Sequence, residues 1–71
     1  MKFKVIVSIE LIGGASPEDA EIDEGDLVDH EYIVDAKNKH AASEAALDWF
    51  HSSIPIGDLG CVRIDTEVST V

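Results

Sequence analysis

The first twelve residues alternate between apolar and other side chains, which is typical of a β-strand with one buried face. The apolar set is Phe3, Val5, Val7, Ile9 and Leu11. Ile6 and Ile12 add apolar side chains to the opposite face, so we predict a central strand that is paired along both edges. This strand should end at Gly13 and Gly14, because a glycine pair between an apolar and a polar run is typical of a turn.

Two later segments have the same periodicity. In residues 30–36, Tyr32 and Val34 fall on one face and Ile33 on the other. Residues 61–68 alternate between two sets. Val62, Ile64, Thr66 and Val68 form one set, and Cys61, Arg63, Asp65 and Glu67 form the other. We therefore predict a second and a third strand in these two ranges.

Residues 39–52 have helical spacing, with apolar positions three and four apart. These positions are Ala42, Ala45, Ala46, Trp49 and Phe50. Asn38 is suited to cap the helix, and Pro55 follows its end. The alanines would let the helix lie close to a sheet, and we expect the two aromatic residues in the core, or in the core and a dimer seam.

The connections between these elements carry weaker signals. Ser16 and Pro17 are typical of a helix start, but Gly25 follows soon after, so we predict only a short helical turn or an ordered loop. Beyond the helix, three apolar residues should pack beneath its end, and two glycines should flank a turn. The apolar residues are Ile54, Ile56 and Leu59, and the glycines are Gly57 and Gly60.

The order β-β-α-β predicts an α+β fold in one domain, residues 1–71. The second and third strands should run parallel through the helical crossover, with the first strand between them, giving a three-stranded antiparallel or mixed sheet of order 2-1-3. One helix would cover one face, and a long acidic loop would follow strand 1. The other face would be lined by Ile6, Ile12, Ile33 and Cys61. Because a chain this short buries only about 60% of its surface, a homodimer that covers this face is expected.

The distribution of charge along the chain is its most informative feature for function. The formal net charge is −10, and residues 17–35 contain nine carboxylates and no lysine or arginine, which leaves −1 for the rest of the chain. The nine are Glu18, Asp19, Glu21, Asp23, Glu24, Asp26, Asp29, Glu31 and Asp35. Helix capping and solvation explain some of them. A concentrated field of one sign also attracts cations or basic partners.

Catalytic and metal-binding motifs find little support. Asp19, Glu21 and Asp23 match the first three ligand positions of a calcium loop, but Glu24 and His30 stand where glycine and glutamate are required, so only weak divalent binding stays open. The histidines have no zinc spacing, His40 and His51 are expected on the helix surface, and Cys61 has no activating partner in sequence. We expect no enzyme activity, cofactor or metal site.

Location and direct nucleic-acid binding are also constrained by composition. The apolar N-terminal run is interrupted by Lys4, Ser8 and Glu10, unlike a secretory signal, and no run is long enough to cross a membrane. We therefore expect a soluble cytoplasmic protein. The negative charge would repel the phosphates of DNA or RNA, so Trp49 and Phe50 are not expected to stack on bases.

Carboxylates on one side of an extended segment lie roughly 6.8 Å apart, similar to successive phosphates of a nucleic acid. Glu31 and Asp35 would suit a strand edge, and Asp23, Asp26 and Asp29 recur at intervals that could face one way. With its run EDAEIDEGDLVDHEYIVD, the chain resembles the small acidic phage proteins that act as DNA mimics, one of which inhibits the bacterial nucleoid protein HU. The resemblance implies that the nine carboxylates, from one or both subunits of a dimer, occupy the DNA-binding surface of a basic host protein, with HU as the favoured partner.

Two other interpretations stay open. One is a halophile protein, although halophile surfaces are acidic throughout and this chain is not. The other is a non-catalytic interaction module whose acidic loop is merely solvated and partly disordered.

Overall fold

The structure, a computed structural model, describes residues 1–71. Its elements are β1 (Lys2–Leu11), β2 (His30–Asp35), α1 (Lys39–Ser53) and β3 (Val62–Thr70). Two short 3₁₀ helices, Glu24–Asp26 and Leu59–Cys61, lie in the connections. The sheet order is β2-β1-β3 with both pairs antiparallel, and α1 packs on the sheet, so the predicted fold is confirmed.

β1 is the central strand because it has apolar side chains on both faces. Val5 pairs with Tyr32 of β2 and with Val68 of β3. Phe3, Val5 and Val7 are buried beneath the helix, as the alternation predicts. Against them α1 places Ala42, Ala46 and Phe50, all fully buried. The two alanines allow close approach, and Phe50 supplies the bulk of this core.

The start and end of α1 follow the sequence signals. The Asn38 side chain accepts a hydrogen bond from the Ala41 backbone N–H at 2.8 Å, which satisfies one of the unpaired donors of the first turn. The backbone N–H of Ile54 still bonds to Phe50, but Ile54 itself is extended and Pro55 follows it. His40 and His51 lie exposed on α1, as expected.

A second, smaller core lies at the far end of the sheet from the chain termini. Its buried members are Ala20, Ile22 and Val62, and Ile54 and Ile56 pack against them. Leu59, however, is 56% exposed, so its predicted position beneath the helix end is wrong. Ile22 is buried there instead, against Ile54 and Ile56, and it comes from residues 16–29, which we call the acidic segment.

The face of the sheet opposite α1 is more polar than predicted. Ile6 lies between Glu31 and Glu67 on the neighbouring strands, and Ile33 is 50% exposed beside Lys4. Cys61 does not line this face, because it precedes β3 and packs against the second core. The apolar part of the face is therefore small, and the homodimer stays a prediction. No helix combines the length and apolar composition needed to span a bilayer.

Candidate acidic binding surface

The acidic segment is anchored at its middle to the connection between α1 and β3. The Gly57 N–H donates to the Glu21 carbonyl at 3.3 Å, and the Asp58 N–H donates to the Ala20 carbonyl at 3.0 Å. Ala20 is fully buried and Ile22 is 7% exposed. Because these two apolar side chains alternate with charged ones, the carboxylates of Asp19, Glu21 and Asp23 remain exposed.

Glu21 crosses Gly57 at very short range. Its backbone has φ of 52°, in the left-handed region that L-residues other than asparagine and aspartate rarely adopt. A Cβ on residue 57 would lie only 2.5 Å from the Glu21 Cβ, so glycine is required there for the two backbones to meet.

Local hydrogen bonds shape the rest of the segment. Ser16 and Asp19 bond reciprocally, each side chain accepting the other's backbone N–H, at 3.3 and 2.9 Å. Asp23 accepts the Gly25 N–H at 3.0 Å and so caps the first 3₁₀ helix. The His30 Nε2 contacts the Asp26 carbonyl oxygen at 2.9 Å, and its ring meets Phe50 edge-on at 5.5 Å. The segment is thus a series of turns, as the alternative of an ordered loop predicts.

This geometry divides the nine predicted carboxylates. Six of them gather with Asp58 around the second core, and we call these seven residues the acidic end. They are Glu18, Asp19, Glu21, Asp23, Glu24, Asp26 and Asp58. Asp29 leads from the acidic end into β2, whereas Glu31 and Asp35 project from the open face of the sheet.

The strand spacing of roughly 6.8 Å does not apply to most of the acidic segment. Residues 16–26 form turns and a 3₁₀ helix rather than an extended strand, so the strand rise does not apply to them. It applies to Glu31 and Asp35 on the edge strand β2, which are four positions apart, about 14 Å.

All four lysines lie at the opposite end of the molecule. Lys2 and Lys4 begin β1, and Lys37 and Lys39 follow the end of β2, which pairs with the start of β1. We call these four residues the lysine end. From Lys4 to Leu11, where β1 reaches the acidic end, the strand rises about 24 Å. This is more than twice the Debye length of roughly 8–10 Å, so the lysines do little to neutralise the acidic end.

None of the seven carboxylates of the acidic end has a cation within 4.0 Å. Arg63 on β3, the residue after Val62 of the second core, is bound by Glu10 at 2.8 Å and Asp65 at 3.2 Å. The C-terminus of α1 points toward the same end and adds the negative pole of its dipole. The molecule is therefore electrically bipolar along its long axis of 38 Å.

Asp35, unlike the other predicted site residues, forms an ion pair. Its carboxylate accepts a hydrogen bond from the N-terminal ammonium group of Met1 at 2.9 Å. That hydrogen bond, the charge of the ammonium group and the weaker charge of Lys2 hold the pKa of Asp35 below its usual 3.8. Asp35 therefore belongs to the lysine end and not to the acidic surface.

A shallow depression of about 560 Å³ opens between the glycine turn after β1 and the connection before β3. Asp19, Asp58 and Cys61 line it, and the Cys61 thiol donates to Asp58 at 3.6 Å. Burial, followed by the Asp58 hydrogen bond and charge, raises the pKa of the Cys61 thiol, so the nucleophilic thiolate is disfavoured. Nowhere in the chain do three His, Cys, Asp or Glu side chains approach closely enough to hold a metal ion.

Trp49 is not in the core of the monomer, so of the two positions expected for it only a dimer seam stays open. It is 56% exposed, and its ring lies against Tyr32 of β2, with centroids 5.1 Å apart and planes tilted by 47°. Because the sheet has three strands and β2 is at its edge, a side chain on the β2 side of α1 contacts β2 and is otherwise exposed to solvent. Partial burial raises the pKa of Tyr32, which keeps its hydroxyl neutral.

Sequence reasoning missed Asp58 as a member of the acidic surface. The signal was present, because β3 must begin beside the end of β1, and the residues just before β3 must therefore lie next to the loop that follows β1. The exposed Trp49 had no such signal, since its spacing fits the buried stripe.

Comparison with models of protein families, with curated proteins and with solved structures finds no match to this chain.

Proposed function

We propose that this protein is a non-catalytic acidic inhibitor that occupies the DNA-binding surface of a basic protein with its acidic end. The bacterial nucleoid protein HU is the first partner to test. The observation that carries the proposal is the separation of charge: seven carboxylates without a cationic partner lie at one end, and all four lysines lie at the other.

The charge density of the acidic end is comparable to that of DNA. The molecule is 18–19 Å wide across its two short axes. A duplex of that length carries about eleven phosphate charges, at one per roughly 1.7 Å, so seven carboxylates supply more than half that density. The mimicry proposed here is of charge density, because the turns of the acidic segment do not reproduce the regular spacing of phosphates.

The anchoring of the acidic segment supports a preformed surface. Ala20 and Ile22 are buried, and two backbone hydrogen bonds attach the segment to residues 57 and 58. A surface that is ordered before binding loses less conformational entropy in the complex than a flexible loop would.

A competition assay tests the proposal. Labelled duplex DNA bound to purified HU is titrated with this protein, and its displacement is followed by fluorescence anisotropy at about 0.1 M salt. The variant Glu18→Lys with Glu24→Lys should displace DNA at least about tenfold less well, because both side chains are exposed, make no hydrogen bond, and lie where the partner's cations would bind.

The matched control is Glu44→Lys with Glu67→Lys, on α1 and β3 away from the acidic end. Each pair of substitutions adds four charges and changes the net charge from −10 to −6. The control should compete nearly as well as the parent protein. Equal loss in both variants would mean that total charge, and not the acidic end, governs binding, and the proposal would fail.

The two alternative functions, a halophile protein and a module with a solvated loop, predict different results for the same purified protein. A halophile protein should melt at much higher temperature in molar salt and leave DNA bound to HU. A module with a solvated loop should show fast amide exchange at Ala20 and Ile22, whereas the anchored segment should protect both.

A further inference from the structure

The most exposed aromatic surface of the molecule lies beside the acidic end. Trp49 is more than half exposed, yet its ring is held in place by Tyr32 at 5.1 Å. Tryptophan and tyrosine are enriched among the residues that contribute most to protein–protein binding, since they offer a large rigid surface. An exposed and orientated indole in so small a domain is therefore available for a partner.

No cation of the chain itself occupies this ring. The aromatic contacts of the structure join rings only to other rings, including the pair of Trp49 and Tyr32. The lysines are grouped at the lysine end, and Arg63 is bound by two carboxylates on the far strand β3. The outer part of the indole is thus free for a cation from another molecule.

The surroundings of the ring are negative. Asp48 precedes Trp49 on α1 and is exposed. Asp26, a residue of the acidic end, contacts His30 through its carbonyl oxygen, and the His30 ring contacts Phe50, the residue after Trp49. The C-terminus of α1, four residues beyond Trp49, also lies at the acidic end, where Ile54 packs against the second core. A cationic partner that binds the acidic end would therefore place further positive side chains within reach of Trp49.

We propose that Trp49, supported by Tyr32, binds a lysine or arginine side chain of the basic partner through a cation–π contact, and this assignment rests on the proposed function. The indole has the strongest negative face among the aromatic side chains and attracts a guanidinium or ammonium group within about 6 Å of the ring. The acidic end would supply attraction over distance, and Trp49 would fix one cation of the partner in position.

The test uses the fact that Trp49 is the only tryptophan of the chain. Biosynthetic replacement of tryptophan by mono-, di- or trifluorotryptophan changes only this ring. The ring keeps its shape and apolar area, and each added fluorine weakens its negative face. Binding to HU and to a peptide of eight arginines is measured by titration calorimetry. The affinity should fall with each added fluorine, to a total of about fivefold.

Two substitutions complete the experiment. Trp49→Leu, which keeps an apolar side chain but removes the ring, should weaken binding about as much as full fluorination. Ile33→Ala, at a residue that is 50% exposed on the open face of the sheet beside Lys4, should leave the affinity unchanged. Circular dichroism of each variant confirms that it is folded.

The outcomes separate this inference from the proposed function. If fluorination leaves both affinities unchanged while Glu18→Lys with Glu24→Lys abolishes binding, the cation–π contact is wrong and the acidic inhibitor stands. If the parent protein binds neither HU nor the arginine peptide, both proposals are overturned.

Discussion

The crossing of Glu21 and Gly57 gives the sharpest test of how the acidic segment is held. Gly57→Ala places a Cβ 2.5 Å from the Glu21 Cβ and 2.8 Å from its Cδ. The Glu21 Cβ is fixed to the backbone and cannot rotate away, so the backbones must separate. Overpacking of this kind reduces stability by about 1–3 kcal/mol.

The size of this loss can be compared with the energy that anchors the segment. Burial of Ile22 contributes about 1.5–3 kcal/mol, and the two backbone hydrogen bonds contribute roughly 1 kcal/mol each. The strain is smaller than this total. We therefore expect the segment to stay attached and the whole domain to lose about 2 kcal/mol, which lowers the melting temperature by roughly 8–16 °C.

A double-mutant cycle identifies the cause. Glu21→Gly removes the opposing Cβ and also relieves the positive φ of 52°, so Gly57→Ala should be nearly neutral in that background. Gly25→Ala is the control, because its Cβ would meet only the Asp23 Oδ1 at 3.5 Å, an ordinary contact. Urea denaturation measures all variants. An equal loss from Gly57→Ala with and without Glu21 would refute the steric explanation.

Two further predictions concern the lysine end. Asn38→Ala should reduce the free energy of unfolding by about 1 kcal/mol in urea denaturation, because it removes the cap of α1, while Asn38→Asp should retain the cap; equal loss in both would contradict this. The Asp35 carboxyl should titrate below pH 3.8 by NMR, and its stabilising effect should be present above about pH 4 and lost as pH falls through the lowered pKa. Acetylation of the amino terminus should return this pKa toward 3.8, and an unchanged titration would show that the ammonium group is not its cause.

The sequence was sufficient for the fold because its periodic signals agree with one another. The alternation through Val5 and Val7 requires a central strand, and the Ala42 and Ala46 stripe requires a helix that lies close to it. The crossover connection from β2 to β3 leaves room for one strand between them, and β1 fits in that position. Strand and helix ends differ from the prediction by only one or two residues, as at β3, which continues to Thr70.

The candidate site was less predictable because it depends on contacts between distant residues. Local patterns give no reason for Glu21 to adopt a left-handed backbone, since that conformation is maintained by the approach of Gly57 and the burial of Ile22. Helical spacing likewise cannot tell whether Trp49 faces the core or the margin of a narrow sheet. Six of the nine predicted carboxylates gather at the acidic end, and the separation of the other three from it required the fold.

The direction of the strands also determines how the protein can be labelled or immobilised. Met1 and Val71 both lie at the lysine end, since β1 begins there and Val71 donates its backbone N–H to the Lys2 carbonyl. A tag, a fluorophore or a surface coupled to either terminus would leave the seven carboxylates facing solution, roughly the length of β1 away. Sensor chips loaded through either terminus should therefore present the same orientation to a soluble basic protein.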